Sequence, residues 1–123
     1  MIALLQEATR LVDGAQYKAR QIARAQHSEP WFRFALLLAE LHARLVDVVA
    51  RAGGVPPLAE PDVDSVVLGA DLARAAALMQ EANVPAEVSP ARAWSQTCMQ
   101  VQMAARDVDA GRFQDDELRE RSA

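Results

Sequence analysis

A single cysteine, Cys98, leaves this chain of 123 residues without a partner for an intramolecular disulfide and without the thiolates of a cysteine-based metal cluster. That usage fits a reducing compartment. Aromatic residues make up only 5% of the sequence, so the core has to be built from aliphatic side chains, alanine prominent among them. Small side chains favour helix over strand and let helices approach closely. Basic charge is also short: the formal net charge is −4, against the basic face that a nucleic-acid binder presents. The longest strongly apolar run covers residues 34–39, far below the roughly 20 residues of a membrane span. The chain opens Met-Ile-Ala-Leu-Leu-Gln-Glu, with no basic segment ahead of an apolar run. The expectation is a cytoplasmic protein with neither nucleic acid nor membrane as partner. P-loop, dinucleotide fingerprint, zinc-ligand spacing and nucleophile motif are all missing, so no catalysis and no cofactor are expected.

What is present is helical periodicity. The segment 28–54 begins Ser-Glu-Pro, continues with Trp31, Phe34, Leu38, Leu41, Leu45, Val48 and Ala52 at alternating spacings of three and four, and ends Gly53-Gly54. That spacing lines one stripe of a helix. Ser28 is placed to cap its start, Pro30 fits a first turn where a missing N–H does no harm, and Gly53-Gly54 then Pro56-Pro57 end it. A preceding helix over 2–26 carries Leu5, Ala8, Val12, Ala15, Ala19 and Ile22 on one face, with Gly14 as a close-packing position. The link between the two is so short that they form an antiparallel hairpin.

A third helix is expected from a cap at Asp64 or Ser65, through Leu68, Leu72, Ala75, Met79 and Ala82, to Asn83-Val84-Pro85. A fourth opens at Ser89-Pro90, uses Trp94, Thr97 or Cys98, Val101, Ala104 or Ala105 and Val108, and stops at Gly111. Together these predict an all-α, four-helix bundle over 1–111 with a charged tail over 112–123, fraying or forming a short exposed helix. The one long connection, 54–64, spans about 36 Å when extended, so it either turns back or crosses the bundle. Residues 59–87 hold Glu60, Asp62, Asp64, Asp71, Glu81 and Glu87 against Arg74, a local balance of −5 that reads as a solvated acidic face.

Four-helix bundles of the di-metal carboxylate kind place Glu-x-x-His on one helix, so that both ligands share a face. Here Glu40-Leu41-His42 has a spacing of two, which throws the side chains about 200° apart. Glu7, Glu40 and Glu81 fall beside their seams, leaving Glu7, Glu40 and His42 as the metal candidates. His27 ends the first helix as a structural residue. Met99 and Met103, one turn apart, read as core packing alongside Cys98, and Trp31 and Trp94 as core anchors. On the second helix Phe32, Leu36, Leu37, Val46 and Val49 lie off the main stripe. That is more apolar girth than one antiparallel neighbour covers, and it predicts an interface with a second copy or another protein.

The stretch from Asp13-Gly14-Ala15 to Gly53-Gly54-Val55-Pro56 resembles the first hairpin of small bacterial ferritin-like proteins, with a short acidic-Pro turn and a Gly-Gly-x-Pro end. The resemblance implies an up-down pair and a crossover to a second pair; the family's Glu and Glu-x-x-His ligands have no counterparts at these positions. The functional expectation is an oligomerising or partner-binding helical module. The alternative is a ferritin-like bundle holding a metal or a small apolar ligand between its helices.

Overall fold

The computed structural model describes residues 1–113. It contains four helices, α1 (Ile2–Gln26), α2 (Glu29–Arg51), α3 (Leu68–Glu81) and α4 (Ala91–Asp109), and a single 3₁₀ turn at Val63–Ser65. No strand occurs among the described residues, and the fold is an all-α four-helix bundle.

The α1–α2 hairpin turns at two residues. His27 takes the left-handed conformation, φ 50° and ψ 43°, which lets the Ser28 N–H reach back to the Ala23 carbonyl at 3.1 Å. Ser28 then caps α2, its Oγ accepting from the Trp31 N–H at 3.4 Å. At the far end Gly53 (φ 89°) donates to the Ala50 carbonyl and Gly54 to that of Val49, closing α2 with two bonds that a left-handed residue makes possible.

The long link crosses the bundle. It leaves α2 beside the start of α1, where Gln6 Nε2 donates to the Val55 carbonyl at 2.9 Å. Midway it lies on Gly14: a Cβ there would stand 3.1 Å from Val66 Cγ2 and 3.7 Å from Pro61 Cβ. It delivers Leu68 to the opposite end, beside Ile22 and Trp31. So α1 runs up, α2 down, the link up, α3 down and α4 up. Helix α1 packs on both α2 and α3, α3 packs on α4, and α2 meets α4 over the thinnest seam.

Leucines of α2 (Leu38, Leu41, Leu45) fill the space that alanines of the other helices leave open, including Ala8, Ala15 and Ala19 of α1, Ala75 of α3 and Ala104 of α4. A smaller cluster of Leu5, Val48, Val49 and Ala82 closes the end where α1 begins.

Several expectations change. Asp64 and Ser65 do not start α3; they form the 3₁₀ turn, in which the Ser65 hydroxyl donates to the Asp62 carbonyl at 2.9 Å. The β-branched pair Val66-Val67 stays extended, and α3 begins at Leu68, with Asp71 accepting the Val67 N–H at 3.2 Å. Met99 and Met103 are not core: they are 54% and 53% exposed, because Cys98, Val101 and Ala105 take the inward stripe of α4. Phe113, read as part of the tail, packs its ring on Trp31 and Phe34 at centroid distances of 4.8 and 4.7 Å. The rest of that tail reading, 114–123, lies outside the described residues.

Candidate functional site

The metal candidates are held apart by separate partners. Glu7 on α1 is bound by Arg10, whose Nε donates at 3.0 Å, and this hydrogen bond holds the Glu7 carboxyl below its usual range. Glu40 on α2 accepts from Arg44 one turn on, at 2.8 Å. His42 Nε2 stands 3.7 Å from Asp13 Oδ1, across the α1–α2 contact. Among the described residues no group of three or more His, Cys, Asp and Glu side chains is gathered that could hold a metal. Cys98 is buried on the inner face of α4, and the loss of hydration pushes its thiol pKa up to about 11. It is a packing residue, and its neighbour Met99 faces outward.

Clefts indent the surface formed by the described residues. One of about 230 Å³ lies under the crossover, between Arg10, Gly14, Asp62, Asp71 and Arg74. One of about 170 Å³ lies at the apolar end, against Ile22, Trp31, Leu68 and Phe113. A shallower one of about 400 Å³ runs between α3 and α4 past Gln80, Trp94 and Cys98. Trp94, expected as a core anchor, is half-buried and lines this last cleft. Trp31 is the buried anchor of the pair, and its indole N–H has no hydrogen-bond partner among the described residues.

The outer face of α2 carries an exposed apolar row. Phe32 is 43% and Leu36 66% exposed, and Val46 is half-buried beside them. The other two expected interface residues are placed differently. Leu37 turns toward the main core and is half-buried there. Val49 does not belong to the surface at all: it is fully buried in the end cluster, under Gly54. Around the helix axis Val49 falls beside Leu38 and Leu45, inside the buried stripe.

In their place the structure adds residues that the periodicity of the core stripe does not single out. Ala39 is half-buried, and Ala43 and Ala50 are exposed, on the same outward line as Phe32, Leu36 and Val46. A signal for them exists in the sequence, since these six positions are spaced four-three-four-three-four along the helix.

Along one flank of this ridge runs a row of charges of both signs: Glu29, Arg33, Glu40, Arg44, Asp47 and Arg51. They pair within the helix at 2.7 Å (Arg33–Glu29), 2.8 Å (Arg44–Glu40) and 3.0 Å (Arg51–Asp47). Arg44 also donates to Gln100 of α4 at 2.6 Å, bridging the thin α2–α4 seam. On the other flank α1 packs, with Asp13 facing His42. Helix α2 therefore carries two seams, one spent on the core and one facing outward.

The class that these features define is an all-α bundle with an apolar helix face that no other described element covers. No protein-family model, curated protein or solved structure matches the chain. Among the described residues no helix is long and apolar enough to cross a membrane.

Proposed function

We propose that this protein is a helical interaction module that associates with itself through the outward face of α2. The observation that carries the reading is the exposure of Phe32 and Leu36 on a continuous apolar ridge with small residues at its centre. Contiguous apolar surface on a single chain marks an interaction site, and a two-fold dimer buries the same patch on both copies. Small residues at the centre of a helix face also favour it as a contact surface, because they let a second backbone come close. A protein partner other than a second copy would use the same ridge.

Light scattering on the purified chain at micromolar concentration tests the reading. The expected mass is at least twice the 13.4 kDa of one chain. A mass of one chain at all concentrations refutes self-association.

A further inference from the structure

We infer that two copies pair through α2 in antiparallel orientation, about a two-fold axis that crosses the helix within one residue of Leu41. The inference rests on the self-association reading above and adds to it the orientation and register of the contact.

Phe32, Ala39 and Val46 recur at heptad spacing along α2, and so do Leu36, Ala43 and Ala50. Two interleaved heptad rows form the seam that keeps facing a partner helix along its whole length. Reversing this ridge on itself about Leu41 sets Phe32 against Ala50 of the second copy, Leu36 against Val46, and Ala39 against Ala43. Every contact then pairs a larger side chain with a smaller one, or two alanines. The narrowest point falls at the axis, where the backbones need to come closest.

Charge gives the orientation independently. In an antiparallel pair related by a two-fold axis, the same flank of each helix meets its own copy. The charged flank of α2 therefore meets itself reversed. Glu29 comes opposite Arg51 of the second copy and Arg33 opposite Asp47, both pairings of opposite sign, while the two copies of Glu40 flank the axis, each already paired with its own Arg44. The midpoints of both opposite-sign pairings fall at residue 40, and those of the apolar pairs at 41. A parallel pair would instead bring this row against the opposite flank, where Ala35 and His42 lie beside α1, and leave the charges unmatched. The shape register and the charge register are set by different residues, and they agree to within one residue.

The test separates the orientation from the association. Leu36→Glu alters an exposed side chain, so the helical spectrum and the thermal midpoint of the single chain are expected to hold, while the dimer dissociation constant rises by about a hundredfold or more. Met103→Glu, an equally conspicuous exposed residue on α4, is expected to leave association unchanged.

Orientation is then read by oxidation in a Cys98→Ala background. Ala39→Cys and Ala43→Cys are expected to cross-link when the two variants are mixed and re-equilibrated, and not when either is alone, because residue 39 is offset from its own copy along the axis beyond disulfide reach. A wild-type chain that stays monomeric overturns both the association and the orientation. A dimer that Leu36→Glu does not weaken, or that Met103→Glu does, places the contact on another face and overturns both as well. A dimer broken by Leu36→Glu, in which single variants cross-link with themselves or the mixture fails to cross-link, overturns the antiparallel register alone.

Discussion

Truncating Leu41 to alanine measures how far the bundle depends on α2. Leu41 is fully buried at the middle of the inward stripe, between Leu38 and Leu45. Leucine-to-alanine changes in cores cost about 2–5 kcal/mol, the spread reflecting how well neighbours collapse into the space. Here many of the core side chains around the leucines are alanines, among them Ala8, Ala15 and Ala104, and an alanine has no rotamer with which to move in. The cavity stays open, and the expected loss is in the upper part of the range, about 3–5 kcal/mol. For a chain of this size that lowers the thermal midpoint by roughly 12–20 °C, at about 4 °C per kcal/mol.

Glu40→Ala is the matched control, one residue away on the same helix. It removes an exposed ion pair with Arg44 and is expected to change stability by less than about 1 kcal/mol. The assay is urea unfolding followed by helical circular dichroism, with all variants at one protein concentration, since association makes midpoints concentration-dependent. Equal losses from the two substitutions would refute the reasoning, because they would mean that Glu40 is buried and paired and that Leu41 is not central.

Three further outcomes are expected. His27→Gly should raise stability by about 0.5–1 kcal/mol in the same assay, since the Cβ strain that histidine bears at φ 50° outweighs the greater unfolded-chain freedom of glycine; a loss would mean that the His27 side chain holds the turn. Cys98 should react with a thiol reagent at pH 8 only after denaturant is added, because burial both shields it and lifts its pKa to about 11, leaving little thiolate; rapid labelling of the folded protein would contradict that placement. Gly14→Val should cost about 1–3 kcal/mol by lifting Val66 and Pro61 off α1, and an unchanged unfolding midpoint would show that the crossover does not lean on that position.

The elements legible in the sequence are those that carry their own punctuation. Ser28 and Gly53-Gly54 bound α2, and Asn83, at φ 48°, ends α3 before Pro85, each because a local hydrogen bond or a left-handed residue decides the matter within a few positions. What is not legible depends on neighbours distant in the chain. Met99 and Met103 show the spacing of a core stripe, and only the position of α3 decides that the adjacent stripe through Cys98 is the one covered. Val46 and Val49 look alike as flanking residues; the turn at Gly54 and Leu5 of α1 bury one of them and leave the other half-open. Phe113 reads as the start of a charged tail, and its partners Trp31 and Phe34 lie on a helix far earlier in the chain. The start of α3 is obscured for a local reason: a serine beside an aspartate suits a single 3₁₀ turn as readily as a helix start, and the two valines that follow keep the chain extended.

The crossover has an electrical consequence. By carrying the chain the length of the bundle it places α2 and α3 on one diagonal, running the same way, and α1 and α4 on the other, running the opposite way. Every pair of touching helices is then antiparallel, and their macrodipoles oppose. The field around the molecule is set by side chains, and those are lopsided. The link and α3 carry Glu60, Asp62, Asp64, Asp71 and Glu81 against Arg74 alone, whereas the six flanking charges of α2 sum to zero. Among the described residues the acidic balance thus lies on the corner diagonal to the helix that a second copy would meet, and two copies can approach along the neutral corner without working against it.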